Sequence, residues 1–268
     1  ELYRIPNYQR GYAWTDDEVN NFLDDLEYIT KGPEGPDEHY LNSIIVSETD
    51  SVDDELHVID GQQRLITAVL LANEILREAY SVYTGDNQES KSLRDSIADT
   101  LYSNIFKSGP DTTTHRVLPA DEHRDCYTSI VNSDINPERD IDKIEENSSS
   151  PSEEKIVSAA KTIRRRIKEN ITTRNDIKDE TDRLLYLYTL SRSLDKAFTA
   201  TLHEVEDPSE AGRIFEAIND RGRNLNRADK IKSYIVYRAT MGDVSIVVED
   251  IHHTFTEVYE TINKYADK

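Results

Sequence analysis

The apolar positions of the chain fall into one short strand-like run followed by long helical stripes. Val58 and Ile59, β-branched and set between polar neighbours, predict a strand. Leu65, Val69, Ala72 and Ile75 then recur at helical spacing, so strand and helix join across Asp60-Gly61-Gln62-Gln63-Arg64. Residues 40–48, centred on Ile44, Ile45 and Val46, predict a preceding strand, with Thr49 to Asp54 as an acidic turn closing a hairpin. Upstream, Thr15 and Glu18 form a capping box for a helix that carries Val19, Phe22, Leu23, Leu26 and Ile29 on one face, ended by Gly32-Pro33-Glu34-Gly35-Pro36.

Downstream, Leu93, Ile97, Leu101 and Ile105 make another stripe, Arg116 to Pro119 an extended piece, and residues 120–131 a further helix. Ser150-Pro151 with Glu153 marks the start of a helix whose apolar face is Ile156, Val157, Ala160, Ile163, Ile167 and Ile171. A helix around Asp182 to Leu194 leads into Phe198 to Val205, which alternates like a strand returning to the N-terminal sheet. Asp207-Pro208-Ser209-Glu210 opens a helix that stops at Asn219 to Gly222, and Asn226 with Asp229 opens the next, carrying Ile231, Tyr234, Ile235 and Arg238. The class is α+β: a small mixed sheet in the N-terminal part (1–110), then a mainly helical part (111–268) with a mobile polar linker near 132–152.

Composition changes this picture in three ways. No run approaches the roughly 20 apolar residues that span a bilayer, and no secretory signal opens the chain, so a cytoplasmic protein is the simplest reading. The single cysteine, Cys126, has no disulfide partner and no Cys or His cluster around it, and reads as a small buried residue. The net charge of −21, from 53 acidic and 32 basic residues, opposes nonspecific nucleic-acid binding and suits a halophilic cytoplasm. Lys161, Arg164, Arg165, Arg166 and Lys168 are the densest basic cluster; they read as a solvated helix face paired with acids, a contact to nucleic-acid phosphate being the alternative.

The candidate chemistry lies at the strand-to-helix junction. The first N–H groups of a helix lack intrahelical partners and, with the macrodipole, attract an anion. Gly61 permits a tight turn and close approach, Arg64 brings a planar guanidinium suited to phosphate, and the Gln62 and Gln63 amides can donate and accept. The plainer account makes Asp60 and Gly61 a cap and a turn. His252 and His253 sit in an ordinary helical pattern with Ile251, Phe255, Val258 and Ile262 and do not make a nuclease centre.

The words Asp60-Gly61-Gln62-Gln63-Arg64-Leu65 resemble the signature of the GmrSD-type family, found at the N-terminus of modification-dependent restriction endonucleases and related phage-defence proteins. Ile5-Pro6-Asn7-Tyr8-Gln9-Arg10-Gly11-Tyr12-Ala13-Trp14 resembles that family's opening motif. Ile214 to Gly222, followed by Leu225 and Asp229-Lys230-Ile231-Lys232, resembles its late one.

The resemblance implies a ParB- and sulfiredoxin-like sheet and a nucleotide site. Asp60, Gln62, Gln63 and Arg64 would be its catalytic residues, Asp60 holding Mg2+ or orienting the attacking water and Gln62 or Gln63 positioning that water, and Gln9, Arg10, Gly61, Asn219, Arg221, Asp229 and Lys232 its nucleotide-binding ones. For Tyr8, Tyr12 and Trp14 core packing is the expected role, and for Asp229 a helix cap is an equal account. It implies hydrolysis of a nucleoside triphosphate coupled to cleavage of DNA, modified or not, by a separate nuclease domain or subunit. Full-length relatives commonly carry a C-terminal His-Asn-His nuclease, so this chain, which opens without methionine, is expected to be a fragment of a longer protein. No Walker-type Gly-Lys-Ser/Thr loop is present. A non-catalytic module sensing nucleotide or modified DNA stays open, as does a homodimer; a plain scaffold leaves Asp60 to Arg64 unexplained.

Overall fold

The computed structural model describes residues 1–7, 9–30, 39–48, 55–85, 87–109, 112–136, 140–205 and 254. Along them run β1 (Leu2–Arg4), α1 (Asp16–Ile29), β2 (His39–Glu48), β3 (Glu55–Asp60), α2 (Gln62–Val82), α3 (Gln88–Ile105), β4 (Phe106–Ser108), β5 (Thr113–His115), β6 (Val117–Leu118), α4 (Asp121–Ile130), α5 (Ile141–Glu146), α6 (Pro151–Thr173), α7 (Glu180–Lys196) and β7 (Phe198–Val205). The expected α+β class holds: a mixed sheet in the N-terminal part, then mostly helices.

The five-stranded sheet has the order β6-β1-β3-β2-β7, in which only the β2–β3 pair is antiparallel. That pair is the hairpin expected from residues 40–59, and β7 returns beside β2 as its alternation predicts. Two strands of this sheet, β6 and β7, come from beyond residue 111, so both parts of the chain share it. The ribbon of β4 and β5 lies between α3 and β6; its strands are three residues each, too short to show alternation in sequence.

Helix α2 is the axis of the core. Leu70, Leu71, Ile75 and Leu76 are fully enclosed, and it packs against α3, α6 and α7. A helix surrounded in this way must bury apolar surface on most of its circumference, which explains its near-continuous apolar run. Helix α1 begins as predicted, with the Glu18 carboxylate accepting from the Thr15 backbone N–H at 2.6 Å. Helix α6 begins at Pro151 behind Ser150, whose hydroxyl accepts from the Glu153 N–H.

The polar stretch 132–152 carries α5, whose Ile141 is buried in the core and whose Ile144 packs against it. Two apolar residues spaced three apart suffice to seat one short helix, a signal too sparse for periodicity to register. The basic face of α6 is paired with acids at Lys161, Arg164, Arg166 and Lys168, as its plainer reading has it, while Arg165 is exposed. Lys161 meets Asp142 and Glu145, Arg164 meets Glu74 at 2.7 Å, and Arg166 meets Glu27 at 2.8 Å and Asp24. Cys126 is buried, and burial pushes its thiol up to about 11, as suits an inert core residue.

Candidate functional site

Two irregularities in β2 and β3 shape the junction. Tyr40 faces Thr199 and Ser43 faces Thr201, so Leu41 and Asn42 of β2 stand opposite the single Ala200 of β7. Ile45 faces Asp60 while Val46 faces Val58, leaving Ile59 as an extra residue in β3. Bulges of this kind bend a strand and release its backbone groups from the ladder. Both nearby carbonyls are taken up by motif side chains: Arg64 Nη1 donates to the Leu41 carbonyl at 2.6 Å, and Gln9 Nε2 donates to the Ile59 carbonyl at 3.1 Å.

Gly61 follows with φ of 95°, the left-handed region, and caps α2. A Cβ there would meet Ile44 Cγ1 at 3.0 Å, so strain and contact both select glycine. A glycine offers no side-chain cap and the first turn holds no acid, so no side chain caps the start of α2. Asp60 stands beside it, its side chain 26% exposed and 3.2 Å from Arg64 Nη2. Burial raises its carboxyl above the usual carboxylate range, against the opposing pull of Arg64, the Gly61 N–H and Arg10.

The two glutamines do different things. Gln63 Oε1 accepts from the N–H groups of Ala13 and Trp14, at 2.7 and 3.3 Å, and its Nε2 donates to the Gly11 carbonyl at 3.2 Å. Every polar atom of that amide is therefore satisfied by the opening motif. Gln62 Nε2 donates to the Arg10 carbonyl at 3.1 Å, whereas its buried Oε1 has no partner among the described residues. Together with Gln9, these amides splice the segment from Gln9 to Trp14 onto the junction. Arg10 itself is exposed and forms no ion pair among the described residues, though it lies near enough to Asp60 to influence it.

Of the expected site residues, Gln9, Arg10, Asp60, Gly61, Gln62, Gln63 and Arg64 are brought together. Tyr8, Asn219, Arg221, Asp229 and Lys232 lie outside the described residues, as do the two helices expected after 206. Tyr12 is buried, its hydroxyl 2.7 Å from Thr67 Oγ1, and Trp14 packs on Phe22, so both serve the core as expected. Gly11, between Arg10 and Tyr12 of the opening motif, is closely packed: an added Cβ would lie 2.7 Å from His123 Nε2 and still closer to Ser152.

Among the described residues, no helix is long and apolar enough to cross a membrane. A comparison with curated proteins found no match. The family model described as GmrSD restriction endonuclease, N-terminal domain, matches residues 1–236, which include all three motif blocks. The chain therefore belongs to the GmrSD N-terminal domain family of restriction systems.

Proposed function

We propose that this chain is the nucleoside triphosphate-hydrolysing regulatory domain of a modification-dependent DNA restriction or antiphage protein. DNA cleavage then belongs to a separate nuclease domain or partner subunit. The observation that carries this reading is the junction itself: a helix start with no side-chain cap, beside a raised carboxyl and an exposed arginine. Family membership supplies the restriction context.

In this reading the N–H groups at the start of α2 bind phosphate oxygens, and Arg10 neutralises charge that develops as the terminal phosphoryl group is transferred. Arg64 holds Asp60 and the Leu41 carbonyl, and directs its remaining donors to the phosphates. Gln9 and Gln63 keep the opening motif in register with the helix. Asn219, Arg221, Asp229 and Lys232 complete the nucleotide site from the late motif.

Magnesium fits the residues present only in part. One carboxylate together with substrate phosphates is a usual set of ligands for Mg2+, and Asp60 offers that carboxylate. Among the described residues, no group of three or more His, Cys, Asp or Glu side chains could hold a metal. The fit is thus to an ion that arrives with the triphosphate, where it would neutralise phosphate charge.

A sensing module that binds nucleotide or modified DNA without turnover is the second reading, favoured by the guanidinium of Arg64 being already engaged by protein groups. The pairing of the α6 basic face leaves DNA contact to other parts of the full protein, acting in the cytoplasm, as monomer or homodimer.

The test is phosphate release from each of the four nucleoside triphosphates with magnesium in molar salt, comparing wild type with Arg10→Ala. Release that falls at least about tenfold in the variant, with unchanged unfolding, supports hydrolysis at this junction. Nucleotide bound but returned intact by the wild type supports the sensing module instead.

A further inference from the structure

We propose that Gln62, through Oε1, orients the water that attacks the terminal phosphorus, while Gln63 is a positioning residue. The inference rests on the hydrolysis reading above. Both amides occupy the first turn of α2 and both are more than nine-tenths buried, with 7% and 6% of their surface exposed. Their surroundings differ completely. Gln63 has a partner for each polar atom, and Gln62 has an orphan acceptor.

The orientation of the Gln62 amide is forced. A backbone carbonyl can only accept, so the prong 3.1 Å from the Arg10 carbonyl is the NH2 group, and the other prong is the oxygen. A buried acceptor without a donor destabilises the fold, and a methionine or leucine at this position would avoid that cost. The orphan is thus a group held ready for something that arrives.

The chemistry of the arriving group is narrow. Phosphate oxygens bring no hydrogen-bond donor and repel an amide oxygen, so Oε1 does not bind the polyphosphate tail. It takes an O–H or N–H, or a hard cation, whose loss as a ligand would weaken nucleotide binding and not turnover alone. At a helix start that receives phosphates, the donor that hydrolysis itself requires is the attacking water. The water oxygen forms a bond to the γ-phosphorus as the bond from that phosphorus to the β–γ bridging oxygen breaks, its electron pair leaving on the nucleoside diphosphate. One water proton is held by Gln62 Oε1 during the approach and stays with the product phosphate; the other passes to a γ-phosphoryl oxygen. Glutamine needs no change of protonation for this work, only a fixed amide, and the Arg10 carbonyl fixes it.

The experiment compares wild type, Gln62→Met and Gln62→Glu with magnesium and the preferred nucleoside triphosphate, reading kcat, KM and the rise in unfolding temperature on adding nucleotide. Gln62→Met should lose at least about a hundredfold in kcat, with KM and the nucleotide-induced rise kept within about twofold. Its own unfolding temperature should stay within about 4 °C of wild type, because one hydrogen bond and one orphan acceptor disappear together. Gln62→Glu keeps an acceptor and should turn over at least about tenfold faster than Gln62→Met.

Turnover by Gln62→Met within about threefold of wild type overturns the proposal. So does loss of the nucleotide-induced rise along with turnover, which would put the amide on the ligand instead of the water. Should Gln62→Met not fold, Gln62→Leu, which likewise removes the acceptor, is read by the same two outcomes. A wild type that binds nucleotide but never releases phosphate ends the hydrolysis reading, and this inference with it.

Discussion

Arg64 donates to the carbonyl of Leu41 at 2.6 Å, across the place where β2 carries an extra residue. The guanidinium that opens α2 is therefore also the partner of a carbonyl beside a bulge, and through Nη2 it holds Asp60 at 3.2 Å. Strand, helix and carboxylate are tied by one side chain.

Removing that side chain should have two separable effects. Arg64→Ala leaves the Leu41 carbonyl and Asp60 without their partner, and is expected to cost about 2 kcal/mol of stability while unfolding stays cooperative. Phosphate release should fall below detection. Urea unfolding read beside phosphate release checks both, and wild-type release from the folded variant would sink the assignment of Arg64 to the site.

Gln63 should behave as a splint. Gln63→Ala removes three hydrogen bonds and leaves the Ala13 and Trp14 N–H groups unmatched, so a loss of about 3 kcal/mol is expected. Thermal unfolding of the variant gives the answer; a midpoint equal to wild type would mean that the opening motif is held by other contacts.

Gly61 sits at φ of 95°, where any side chain is strained. Gly61→Ala should cost about 1–2 kcal/mol from backbone strain, with more from the contact to Ile44 Cγ1. Gly85, at φ of 98° with nothing within 4 Å of an added Cβ, is the control in which strain acts alone. The smaller loss should appear at Gly85.

Glu55 and Arg4, joined by two hydrogen bonds of 2.6 and 2.9 Å, set a pH dependence. The Arg4 contact holds the Glu55 carboxyl below its ordinary value of 4.5. A carboxylate depressed in the folded state contributes stability that is complete above that ordinary value and is lost as pH falls through the folded one. Glu55→Gln should therefore be less stable than wild type at neutral pH, by about 1 kcal/mol, and the gap should close by about pH 2. A gap that stays constant across this range would show that Glu55 acts by packing and not by charge.

The net charge of −21 gives the last prediction. Self-repulsion weakens as the Debye length shrinks from about 10 Å at 0.1 M salt to about 3 Å at 1 M. The unfolding temperature should rise with sodium chloride into the molar range, as a halophilic protein requires; a flat or falling curve would argue against that origin.

The local instructions for this fold were legible in the residues themselves. The capping box at Thr15, the proline at the start of α6, the stripe of α6 and the strand-glycine-helix junction each depend on neighbours within a few positions, so periodicity and capping rules found them. The hairpin of β2 and β3 followed from two β-branched apolar runs either side of an acidic turn, and the return of β7 from alternation. The family was legible in three motif blocks, because close spacing of glycine, amides and arginine leaves a signature that needs no coordinates.

Tertiary structure alone decided what each motif side chain does. Gln62 and Gln63 are adjacent and chemically identical, and nothing local separates them. Among the described residues one meets Gly11, Ala13 and Trp14 while the other meets the Arg10 carbonyl alone, because their partners come from a segment some fifty residues away. The bulges at Leu41 and Ile59 are likewise properties of paired strands, set by the register of β2 against β7 and of β3 against β2 and not by either strand's own pattern. The sequence by itself placed an uncapped helix start after Gly61; long-range hydrogen bonding settled which of the described groups around it are bound up in the fold and which are not.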